Sequence, residues 1–175
     1  MIGLIVASKA CPLFTIVAED ETAQRPGKPV ERFVRFRAMP VDSSALFGGA
    51  YGDLTVELGS KKSSAPVRVT YHWVNDVFQR CGVGTRLYHA AAKFSCEQYS
   101  APLASDKLRS ASSHGFWIKQ VAKGRAECAK PARRLTQSER REIATDSVAY
   151  GRGNCDHYQL KSCPVPETLA GKRRR

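Results

Sequence analysis

The sequence predicts a mixed α/β (α+β) domain with a β-rich N-terminal meander. Three observations carry that reading. Period-two apolar alternation recurs through the first 74 residues, a strand runs into a glycine-bearing turn near residue 82, and a helical stripe starts immediately after it. At 175 residues, with 42% apolar and 25% charged side chains, the chain has the size and balance of one globule able to bury a core. A single domain over 1–175 is expected.

Each element can be justified in order. Leu13 to Ala18 is a β-branched run, Arg32 to Arg37 alternates, Tyr51 to Leu58 alternates again, and Val67 to Val74 is rich in β-formers. Strands are therefore expected near 12–18, 31–38, 51–58 and 66–74, as an antiparallel meander. Between them Glu19–Pro29 and Pro40–Gly49 read as turns, with one short helix over Asp42–Phe47 capped by Asp42 or Ser43. Val83, Leu87, Ala90, Ala91 and Phe94 form one helical stripe, with Arg86, His89, Lys93 and Glu97 on the other face. A short apolar run at 101–104 follows, then a second helix over 109–123. Beyond Cys128 the chain turns basic, with a helix expected over 136–149 and a short strand over 157–161. Residues 164–175 read as a mobile basic tail.

The stretch Gln79-Arg80-Cys81-Gly82-Val83-Gly84 is the chemically informative one. A strand, a glycine turn and a helix start make a seat for an anion, because the first N–H groups of a helix lack intrahelical partners and the dipole favours negative charge there. The spacing fits neither G-x-x-x-x-G-K-[ST] nor G-x-G-x-x-G, which excludes the common nucleotide loops. It does match Q/R-x-x-G-x-G/A, with Val74 five residues ahead. Ser110-x-x-Ser113-x-x-Phe116-Trp117 then falls in the frame of a second helix.

On these residues, over about 66–128, the chain resembles the GNAT acyltransferase superfamily. The resemblance implies a mixed, mostly antiparallel central sheet flanked by helices, acetyl-CoA as cofactor, and acetyl transfer to an amine by direct attack in a ternary complex. It places acetyl-CoA on Trp73, Val74, Gln79, Arg80, Cys81, Gly82, Val83, Gly84, Thr85, Ser110, Ser113 and Trp117. Members carry one or two helices after the first strand, whereas this chain shows mainly strand signals there. Trp117 stands where a proton-donating tyrosine is common, and an indole N–H does not ionise in the useful range. Ser113, one turn earlier, is a candidate hydrogen-bond donor to sulfur or a small packing residue.

For the base, His72 has the one side chain titrating near neutrality. Glu57 on the preceding strand would act through a water, and Asp106 follows the next strand, where α/β ligands gather; either is equally readable as a solvated or helix-capping residue. A catalytically degenerate GNAT fold that only binds CoA, nucleic acid or protein is the other class left open.

Composition bounds the setting. No run reaches the ~20 apolar residues of a transmembrane helix, and the N-terminus lacks the basic region of a secretory signal. Six cysteines without a CxxC read as reduced thiols in a cytoplasmic protein. Cys155, His157 and Cys163 fit no common zinc spacing, so no metal is expected. The net charge of +12 exceeds what one CoA can use. It makes RNA, DNA or an acidic protein surface candidate partners, through Arg133, Arg134, Arg140, Arg141 and the 172–175 tail. The acceptor amine is left open among protein, small-amine and RNA-linked classes. A homodimer is compatible with these features, and no membrane partner is expected.

Overall fold

A computed structural model describes residues 11–24, 30–41, 49–59, 66–106, 109–131 and 155–163. The N-terminal meander comprises β1 (Phe14–Ala23), β2 (Glu31–Pro40), β3 (Gly52–Leu58) and β4 (Val67–Val74), each antiparallel to the next. Then come α1 (Val83–Tyr99), β5 (Leu103–Ala104), α2 (Ala111–Ala122), β6 (Ala126–Pro131) and β7 (Cys155–Leu160). One sheet results, in the order β1-β2-β3-β4-β5-β7-β6, with β4–β5 its one parallel pair. This is the architecture that the resemblance implies: a mixed, mostly antiparallel sheet with a loop helix, a strand, a second helix and further strands in sequence.

The alternation seen in the sequence sets which face is covered. Val34, Phe36 and Ala38 of β2 and Leu54 and Val56 of β3 are buried beneath Val83, Leu87 and Ala91 of α1. The intervening positions, Arg35, Arg37 and Asp53, look the other way: Arg35 pairs with Glu21 of β1, and Arg37 with Glu19 of β1 and Asp53 of β3. Those pairs explain why β1 runs on to Ala23, through acidic residues expected to lie in a turn. In register, Glu19 faces Arg35 and Glu21 faces Phe33, so their charges meet cations across the ladder. Only residues 24–30 then separate β1 from β2. The expected helices at 42–47 and 136–149, the arginines at 133–141 and the 164–175 tail fall outside the described residues.

One expectation is overturned. The cysteines are not free thiols: Cys11–Cys81, Cys96–Cys163 and Cys128–Cys155 are disulfides, and no free cysteine remains. Each joins segments far apart in sequence, which residue spacing cannot reveal. Cys155 and Cys163 are thereby committed to different bridges. No helix among the described residues is long and apolar enough to cross a membrane.

Candidate active site

The site begins where two parallel strands part. β4 and β5 pair only at Val67–Leu103 and Arg68–Ala104. Beyond Ala104 the chain turns to β7 instead: Ser105 N–H donates to the Tyr158 carbonyl at 2.8 Å, and Tyr158 N–H donates back to Ser105 Oγ at 2.9 Å. The Arg109 guanidinium fixes this corner, bonding Ser105 Oγ, the Asp106 carbonyl and the Cys155 carbonyl, and lying over the Tyr158 ring. The edge of β4 from Val69 to Val74 thus faces a cleft of about 950 Å³ rather than a strand. Its far wall is the start of α2, and its floor is the turn into α1.

A bulge in β4 decides what that edge presents. Thr55 pairs with Tyr71 and Val56 with Val69, leaving Thr70 as the extra residue. Val67 and Val69 point into the core; past the bulge His72 and Val74 do so, while Tyr71 and Trp73 turn outward.

The turn into α1 has the features of an anion seat. Arg80 and Gly82 both hold left-handed backbone, with φ of 68° and 77°. Gly82 is the N-cap of α1, no side chain caps the helix, and its first turn carries no acidic residue. The leading N–H groups therefore have neither an intrahelical nor a capping partner. A Cβ at Gly82 would meet nothing within 4 Å, so the space above it is open. At Gly84 a Cβ would lie 3.1 Å from His72 Nε2 and 3.5 Å from Val74, so this glycine lets α1 sit close against β4. These residues fit the pyrophosphate of a CoA-type cofactor. Gln79 Nε2 donates to Asp76 Oδ1, holding the turn just before the loop.

His72 lies in the cleft between Gly84 and the ring of Tyr88, with centroids 5.1 Å apart. Burial lowers its pKa to about 4, and Nε2 has no hydrogen-bond partner among the described residues. Tyr88, which the sequence reading passed over, is buried on α1 with its hydroxyl 2.6 Å from Ser113 Oγ on α2. Burial raises its pKa to about 12, against the opposing effect of the Ser113 bond. A helical stripe read by apolar residues alone hides a tyrosine that packs like a hydrophobe and hydrogen-bonds like a polar group.

Other sequence-derived candidates are distributed as follows. Trp73, Val74, Gln79, Arg80, Gly82, Val83, Gly84, Thr85, Asp106, Ser110 and Ser113 line the cleft. Ser110 also caps α2, accepting from Ser113 N–H at 3.3 Å. Cys81 is tied to Cys11. Trp117 is 0% exposed, packed on Phe116, Tyr88 and Tyr158; its N–H lies near the Tyr88 hydroxyl without the geometry of a hydrogen bond. Glu57 sits on the outward face of β3, opposite Arg68 at the paired end of β4, away from the cleft lining.

The sequence matches no family model and no curated protein. Among solved structures it is similar to Tetrahymena GCN5, at 14% identity and a TM-score of 0.44, over 76% of this chain and 71% of that one. It is also similar to a candidate streptothricin acetyltransferase from Bacillus anthracis str. Ames in complex with acetyl coenzyme A. That likeness has 12% identity and a TM-score of 0.42, over 84% of this chain and 83% of that one. Likeness this distant assigns neither ligand nor activity to the chain.

Proposed function

We propose that the protein is an acetyl-CoA-dependent N-acetyltransferase that joins acetyl donor and amine in one cleft. The observation that carries the reading is the uncapped N-terminus of α1, with Gly82 open above it, at the point where β4 and β5 part. Backbone N–H groups from Gly82 to Thr85 would hold the pyrophosphate, and the unpaired edge of β4 would align the pantetheine arm. When bound, the cofactor supplies a thioester whose acyl carbon is open to attack by an amine.

The chain's own residues limit how protons move. A free alkylammonium has a pKa near 10.4 and His72 one of about 4. Passing a proton between them directly is uphill by about six units, or about 8 kcal/mol. The amine therefore reacts as the neutral fraction that solvent already holds at the ambient pH, and neutral His72 offers Nε2 or its N–H as a hydrogen-bond partner in the cleft. Ser113 and Tyr88 stay protonated at neutral pH and form a hydroxyl pair beside the β4 edge. Ser113, the less enclosed of the two, would donate toward the departing sulfur; as the C–N bond forms and the C–S bond breaks, solvent takes the proton shed by nitrogen and returns one to the thiolate.

The burial of Trp117 favours a second reading, in which the fold binds CoA without turning it over. No ionisable hydroxyl occupies that helix position. Calorimetry with CoA tests the cofactor, and thiol release across an amine panel then separates the two. Three disulfides favour an oxidising compartment over the cytoplasm that the sequence implied.

A further inference from the structure

Tyr71 and Trp73 are 52% and 41% exposed, on the face of β4 opposite His72 and Val74. Both line the cleft. Since β5 leaves the edge of β4 after Arg68, the cleft reaches both faces of the sheet: Gly82 and Gly84 on the α1 side, the two aromatic rings on the other. Directly opposite Trp73 in register is Asp53, and opposite Tyr71 is Thr55. Asp53 is paired with Arg37 Nε at 3.3 Å.

The charge on this face departs from that of the molecule. Over β1 to β4, Glu19, Glu21, Glu31, Asp53 and Glu57 outnumber Arg35, Arg37 and Arg68 among the described residues on this face, in a chain of net charge +12. A carboxylate beside two open aromatic faces suits an ammonium group, which is drawn both to ring quadrupoles and to negative charge. The same rings give an apolar body somewhere to lie. They do not suit a nucleic acid, because a base stacked on Trp73 would carry its phosphate toward Asp53, where a stacking platform needs cations.

The geometry points to a subsite formed by Tyr71, Trp73 and Asp53 that binds a primary amine attached to an apolar or aromatic body. This rests on the acyltransfer reading only for what happens next to that amine; the binding stands on its own. The chain has two tryptophans, and Trp117 is fully buried, so ligand-dependent fluorescence reports Trp73.

The test titrates the full chain, without CoA, with 2-phenylethylamine, its alcohol isostere 2-phenylethanol, and a single-stranded oligonucleotide. Fluorescence and calorimetry are the readouts. The amine is expected to bind saturably and at least ten-fold more tightly than the alcohol, a preference lost in Asp53→Asn. Tyr71→Leu, which leaves the Asp53–Arg37 pair intact, should weaken amine and alcohol alike. Equal binding of amine and alcohol, or quenching by the oligonucleotide alone, overturns the inference. Amine binding in a protein that calorimetry shows not to bind CoA leaves this subsite standing and sinks the acyltransfer reading instead.

Discussion

Gly82 and Gly84 are needed for different reasons, so their substitutions should fail differently. Gly82→Val puts a branched side chain on left-handed backbone and into the open anion space. Strain of roughly 1–2 kcal/mol should accompany a ten-fold or greater loss of CoA affinity, about 1.4 kcal/mol, read by calorimetry. Gly84→Val instead presses His72 and Val74 apart and should lower Tm even without ligand. CoA affinity untouched in both variants would sink the pyrophosphate-loop reading. His72 makes a pH prediction. Its folded pKa is depressed to about 4 from 6.5, so the unfolded chain takes up a proton first as pH falls. The stability tied to neutral His72 is complete above about pH 6.5 and is lost progressively toward pH 4, by roughly 2–3 kcal/mol. His72→Gln should flatten that part of a stability–pH curve; an unchanged slope would mean the imidazole is hydrated. Tyr88→Phe leaves buried Ser113 short of its partner and should cost about 1–3 kcal/mol. A double-mutant cycle with Ser113→Ala would show the coupling. The sequence made the glycines and His72 legible, because backbone freedom and residue type speak for themselves. The Tyr88–Ser113 contact joins two helices and has no signature in either.

At the scale of elements, the disulfide Cys11–Cys81 connects the residues before β1 to the loop before α1. Replacing both cysteines by serine frees a closed stretch of 70 residues in sequence separation. In the chain-entropy account this costs about 4 kcal/mol, visible as a lower denaturation midpoint. If Cys81 also helps fix Arg80 and Gly82 in left-handed backbone, CoA affinity of the folded variant should fall as well. Denaturant melts that coincide for both proteins would show the bridge contributes nothing. Strands β2 to β4 and both helices could be read from periodicity, since burial of one face imposes it. The far half of β1 could not, because its acidic residues are satisfied by arginines on a neighbouring strand. Cysteine connectivity was equally hidden: six cysteines allow 15 pairings, and only the folded topology selects one.

For the whole molecule, the charge of +12 and the acidic excess on the outer sheet face make opposing claims about salt. If the acceptor is the amine inferred above, its affinity should change by less than about three-fold between roughly 50 and 200 mM salt. Several phosphate contacts would instead cost orders of magnitude over that range. Neutralising Arg133, Arg134, Arg140 and Arg141 together should leave amine binding unaltered. A steep salt profile, reduced by that quadruple variant, would give the basic surface the acceptor after all. The fold class followed from composition and pattern because one sheet and two helices dominate the burial. The position of the cleft did not, because it depends on how few residues β4 and β5 share.

The extra residue at Thr70 behaves like a phase shift in a periodic signal. Downstream of it, odd and even positions exchange sides. Both halves of the cleft depend on that single step: the imidazole beside the glycine loop, and the aromatic pair on the opposite face. Deleting Thr70 would close the bulge and still leave Tyr71 opposite Thr55 and His72 opposite Leu54, so the site should survive; a strand that kept Thr70 but alternated without a break would instead turn His72 to solvent and Tyr71 and Trp73 toward α1. A function divided between two sides of one strand is thus set by a count: one residue fewer at the bulge is absorbed, whereas one residue more or fewer between Tyr71 and Val74 would exchange the two sides.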